Sequence, residues 1–135
     1  MSCTTLQQIF EVPDKNDCFS NSSSANENGK KFIFENKSGR KICRVRVDGC
    51  LITSQEIKKC DFLFTVMEIN HYYLVELKGT AVVDAVAQII STFDIINDKI
   101  RETPQSYKGV IVSSAVPFAT EQRFRKLQDK YFRDK

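Results

Sequence analysis

The sequence predicts an α/β fold: a mixed central sheet, made of an antiparallel meander followed by helix–strand–helix, with helices flanking it. Three observations carry this expectation. Residues 41–52, 60–66 and 71–78 are strand-like, with apolar and polar positions alternating along parts of each. Val82, Val86, Ile89, Phe93, Ile96 and Ile100 then recur by threes and fours, the spacing of one helix face. Val110, Ile111 and Val112 follow in direct succession, as in a strand buried on both faces.

Taken in order, residues 2–11 read as a short helix with Leu6, Ile9 and Phe10 on one side. Residues 14–30 are rich in Ser, Asn, Asp and Gly and read as loop, so residues 1–30 form a loop-rich N-terminal segment before a core at 31–135. Phe32-Ile33-Phe34 opens a strand, and Asn36-Lys37-Ser38-Gly39 is a turn signal. In 41–52, Ile42, Val45, Val47 and Leu51 are apolar, with Arg44, Arg46 and Asp48 interleaved. A polar connection at 53–59 leads into the two strands at 60–66 and 71–78. Thr80 is a suitable helix N-cap, and Thr103-Pro104 stops that helix. Pro117 ends the next strand, at 107–113, and 121–132 reads as a last helix with Phe124, Leu127 and Tyr131 inward. A helix between two strands makes a right-handed crossover that leaves them parallel.

Bulk properties narrow the function classes. At 135 residues the chain is expected to form one domain, with an apolar share of 41% and a charged share of 27%, ordinary for a globular protein. No apolar run approaches the roughly 20 residues that span a bilayer, and the start lacks a secretory pattern, so no membrane association and a cytoplasmic location are expected. Five cysteines without a CxxC pair, and one histidine, lack the ligand spacing of structural zinc. Reduced, mostly buried thiols are therefore expected. A net charge of +3 gives mild support to a polyanionic partner.

The chemistry concentrates in Cys60-Asp61-Phe62-Leu63-Phe64 and Leu74-Val75-Glu76-Leu77-Lys78-Gly79. Side chains two apart in a strand share a face, so Glu76 and Lys78 lie together, with Leu77 opposite. An antiparallel pair turning near Glu68 and Ile69 sets Asp61 against Glu76, Leu63 against Leu74 and Thr65 against Tyr72. Opposed residues lie about 5 Å apart at Cβ, and two carboxylates that close call for a cation between them. A divalent metal is the usual solution, and hard oxygen donors suit it.

This order of elements, with Asp61 at the start of one strand and Glu76-Leu77-Lys78 on the next, resembles the PD-(D/E)XK nuclease superfamily over roughly residues 40–115. The resemblance implies a restriction-endonuclease-like core. It implies that Asp61, Glu76 and the Leu77 carbonyl ligate Mg²⁺ or Mn²⁺, and that Lys78 orients the attacking water and stabilises charge on the phosphate. Gln88 matches a helix position where several branches keep a polar residue facing the site. The chain departs from the pattern where Cys60 replaces the motif proline. It also lacks a clear first-helix acid, for which Glu11 and the sheet residue Asp48 are the candidates.

The expected function is metal-dependent hydrolysis of phosphodiester bonds in nucleic acid, with DNA the favoured form, in a setting such as phage defence, restriction or repair. Arg44, Arg46, Tyr72, Arg123 and Lys126 are the candidate nucleic-acid contacts. A homodimer or larger complex would help so small a domain act on a duplex. The alternative is a catalytically inactive nuclease-type scaffold that binds nucleic acid or a partner protein.

Overall fold

The computed structural model describes residues 2–12, 18–27, 29–34, 39–66, 69, 71–77, 82–100 and 106–112. The elements are α1 (Cys3–Ile9), β1 (Phe19–Ser20), β2 (Ser24–Glu27), β3 (Lys30–Ile33), β4 (Ile42–Arg46), β5 (Phe62–Val66), β6 (His71–Leu77), α2 (Val82–Ile100) and β7 (Ser106–Val112). Five strands form one sheet in the order β1-β4-β5-β6-β7, and β2 and β3 form a separate hairpin. The β4–β5 and β5–β6 pairs are antiparallel, whereas β7 runs parallel to β6 after the α2 crossover. The expected mixed α/β sheet is therefore present. The helix expected at 121–132 lies outside the described residues.

Side-chain alternation divides the sheet into two faces. One face sends Cys43, Val45, Leu63, Tyr72 and Leu74 into a core closed by Leu6 of α1 and by Ile89, Phe93, Ile96 and Ile100 of α2. The predicted helical stripe is thus the face that α2 buries. Asp84, Asp94 and Asp98 stay exposed on the opposite side. Ser2 caps α1 by accepting a hydrogen bond from the Thr5 N–H at 3.1 Å.

The second face carries Ile42, Phe62, Phe64, Val66, Val75 and Leu77, with Ala25, Phe32 and Phe34 of the hairpin region packed on it. Phe32 meets Phe64 edge to face at 5.5 Å, and Phe34 meets Tyr73 at 4.9 Å. This corrects the reading of 14–30 as plain loop. Ser24–Glu27 pairs with Lys30–Ile33, and this hairpin lies over the sheet. Its polar residues gave no strand signal because burial here falls mainly on Ala25 and the two phenylalanines.

Two disulfides overturn the expectation of reduced thiols. Cys3 joins Cys43, with Cα atoms 5.4 Å apart, and Cys18 joins Cys50 at 5.6 Å. Cys60 is the free, buried cysteine. The bonds fasten α1 and the chain before β1 to β4 and to the turn that follows it. An odd cysteine count with scattered spacing carries no trace of such pairing, because only the folded chain brings the partners together.

Candidate metal centre

The strand register pairs Leu63 and Thr65 as the sequence predicts and stops one residue short of the two acids. Leu63 pairs with Leu74 and Thr65 with Tyr72; the terminal pair Phe62–Val75 leaves Asp61 and Glu76 next in line. The Asp61 N–H donates to the Val75 carbonyl at 3.1 Å, and the Asp61 carbonyl accepts from the Val47 N–H at 2.8 Å. Asp61 is thereby held between β4 and β6 on its main chain. Glu76 alternates with Val75 and Leu77, which belong to the hairpin-covered face, so it points to the helix side.

Both carboxyls are buried, Asp61 at 9% exposure and Glu76 at 3%. The Leu77 N–H donates to Asp61 Oδ2 at 2.9 Å, and the Glu76 carboxyl is a close neighbour of the Asp61 carboxyl. Burial pushes the Asp61 carboxyl above its usual value. The Leu77 N–H opposes this, the negative charge of Glu27 adds to it, the side-chain interaction with Glu76 opposes it, and Asp48 adds to it. Two neighbouring buried carboxyls disfavour being charged together, a cost that either a proton or a cation relieves.

Hard divalent ions are bound by carboxylate and carbonyl oxygens, and the carboxylates here are Asp61 and Glu76. Two carboxylates with a neighbouring main-chain carbonyl, at Leu77, suit Mg²⁺ or Mn²⁺, which keep several waters and complete their shell with substrate phosphate oxygens. Among the described residues, no group of three or more His, Cys, Asp or Glu side chains is placed to hold a metal.

The other predicted site residues fall in different places. Asp48 lies in the turn after β4, where Gly49 takes a φ of +82°, and it is 3.6 Å from the Lys59 ammonium. It affects Asp61 through charge and makes no contact with it. Lys59 is itself buried and donates to the Ser54 carbonyl at 2.6 Å and the Ile57 carbonyl at 3.2 Å, bracing the β4–β5 connection. Gln88 Nε2 donates to the Lys59 carbonyl at 3.2 Å. Glu11 is exposed just beyond α1. Lys78, Arg123 and Lys126 lie outside the described residues.

Of the expected nucleic-acid contacts, the described Arg44, Arg46 and Tyr72 have partners within the fold. Arg44 donates to the Ser24 carbonyl at 2.7 Å and lies 5.7 Å from the Phe62 ring centre. Arg46 pairs with Glu27 at 2.9 Å and stacks on the same ring at 5.0 Å. Both guanidiniums thus tie the β2–β3 hairpin to the sheet. Tyr72 requires a correction: it is fully buried and stacked on Tyr107 at 5.0 Å, so its ring packs the core and offers no face to a ligand. Sequence reasoning missed Glu27, hidden in a segment read as loop, and Thr92. Thr92 had a signal, since a hydroxyl one turn past Gln88 sits beside an otherwise apolar helix stripe. Comparison of the chain with protein-family models, curated proteins and solved structures yields no match.

Proposed function

We propose that the protein is a divalent-metal-dependent nuclease that hydrolyses phosphodiester bonds of nucleic acid, with DNA the favoured substrate. The observation that carries the reading is the buried, neighbouring Asp61–Glu76 pair at adjoining ends of β5 and β6. Such a pair is costly to ionise without a cation, and the chain supplies oxygen donors where a cation would sit. Further support comes from the run β4, β5, β6, α2, β7, in which three antiparallel strands, a crossover helix and a parallel strand follow one another. That order accords with the restriction-endonuclease-like core that the Asp61 and Glu76-Leu77-Lys78 motif implies.

In this reading Asp61, Glu76 and the Leu77 carbonyl hold Mg²⁺ or Mn²⁺. The bound ion supplies Lewis acidity and lowers the pKa of a coordinated water. The Leu77 N–H keeps Asp61 aimed. Lys78 stabilises charge on the scissile phosphate. A homodimer or larger complex extends the grip on a duplex. For location, the two disulfides favour an oxidising compartment over the cytoplasm.

A second reading, a nuclease-type scaffold that binds without cutting, draws on the same carboxyl pair. An acid pair relieved by a proton is stable without metal, and Arg44 and Arg46 are engaged within the fold. Cleavage of plasmid and single-stranded substrates under a Mg²⁺ and Mn²⁺ titration separates the two. The nuclease reading expects cleavage that Glu76→Ala or Lys78→Ala reduces about a hundredfold or more. Cleavage that persists undiminished in both variants would remove this mechanism, and no cleavage with any divalent ion would favour the scaffold.

A further inference from the structure

The peptide unit that leads into Asp61 is gripped at both ends by one turn of α2. Its carbonyl, on Lys59, accepts from Gln88 Nε2 at 3.2 Å. Its N–H, on Cys60, donates to Thr92 Oγ1 at 2.8 Å. In a planar trans peptide these two groups point in opposite directions, so two partners fix the plane of the unit rather than one position on it. Gln88 and Thr92 are four residues apart and therefore share a helix face. Thr92 is fully buried, and its hydroxyl proton goes to the Gln88 carbonyl at 2.8 Å, which leaves an oxygen lone pair for the Cys60 N–H.

The next residue is Asp61. Its main chain bonds to Val47 and Val75, and its carboxylate to the Leu77 N–H. The 59–60 peptide thus sets the direction in which the chain arrives at the acid. We infer that Thr92, assisted by Gln88, is a positioning residue that holds Asp61 beside Glu76 by clamping the 59–60 peptide against α2. This rests on the proposal that Asp61 and Glu76 bind the metal. The buried threonine is otherwise a poor choice on a helix face that packs aliphatic and aromatic side chains, because a hydroxyl there must find partners. Here it finds two, and one lies on the chain segment that carries Asp61.

Thr92→Val keeps the shape and removes the hydroxyl, whereas Thr92→Ser keeps the hydroxyl and trims a methyl. The amide resonance of Leu77 reports the Asp61 contact without any metal, and Asp61→Asn identifies its response. In the intact protein, Thr92→Val is expected to shift that resonance and weaken Mn²⁺ binding by 10–100-fold, as loss of a ligand's support does elsewhere. Thr92→Ser is expected to retain both parental values. A Leu77 resonance in Thr92→Val that superimposes on the parent's overturns the inference, as does a Thr92→Ser protein that behaves like the valine variant. Should Thr92→Val not fold, Gln88→Leu removes the other half of the clamp and must shift the same resonance, with an unmoved signal again overturning it. If the parent binds no Mn²⁺ but the resonance moves in valine and returns in serine, the role of Thr92 stands and the metal reading falls.

Discussion

Removing the disulfide between Cys3 and Cys43 should cost the protein a large part of its stability. The bond closes a separation of 40 residues, and the chain-entropy relation for such a cross-link gives about 3.9 kcal/mol at 25 °C. The Cys18–Cys50 bond closes 32 residues, and the same relation gives about 3.7 kcal/mol. Net stabilities of domains lie at about 5–15 kcal/mol, so either loss is a substantial fraction. With an unfolding entropy of about 2.1 cal/mol/K per residue, a 135-residue chain has about 0.28 kcal/mol/K, and the Cys3–Cys43 loss converts to a fall in Tm of about 14 °C. The two loops interlock, so the double removal is not expected to equal the sum. The assay is thermal denaturation of Cys3→Ser/Cys43→Ser and Cys18→Ser/Cys50→Ser, with a thiol count in denaturant. The oxidised parent should show one reactive thiol per chain, Cys60. Five reactive thiols in protein purified without reductant, or a Tm unmoved by reductant, would refute the pairing and with it the argument for an oxidising compartment.

Three further outcomes follow from the site and the core. Burial raises the Asp61 carboxyl, so the folded chain holds that proton more tightly than the unfolded one. The stabilisation from this group is full below the ordinary carboxylate range and is lost as pH rises through the raised value. Metal-free Asp61→Asn should therefore lose less stability than the parent between acid and neutral pH, and a steeper loss in the variant would contradict this. In Mn²⁺ at a hundred times its dissociation constant the parent should gain about 2.7 kcal/mol, and the variant should gain much less. Phe93 is buried and packs edge to face on Tyr107 at 4.6 Å, so Phe93→Ala should cost about 3–5 kcal/mol in urea unfolding. A cost under 1 kcal/mol would mean that α2 is not seated on the sheet as described.

The strand register around Asp61 and Glu76 was legible because period-two alternation tolerates no one-residue slip without turning Leu63 and Leu74 out of the core. The α2 stripe was legible for the same kind of reason, since apolar residues three and four apart have one common face. The strand opened by Phe32-Ile33-Phe34 was legible and overlaps β3, but its partner β2 was not, because Ser24–Glu27 is mostly polar and the hairpin is held by Phe32 and Phe34 lying on a sheet built later in the chain. Arg44 and Arg46 looked like surface cations, but their roles depend on Ser24 and Glu27, about twenty residues away in sequence.

Local pattern alone, then, determined the strands β4 to β7, the helix α2 and the register that sets Leu63 against Leu74, because those follow from side-chain periods within a few residues. Tertiary structure alone decided the cysteine pairing, the burial of Tyr72 and the grip of Gln88 and Thr92 on the 59–60 peptide. Each of these needs groups brought together across tens of residues, and hydrogen-bond and disulfide partners at that separation leave no periodic mark on the chain.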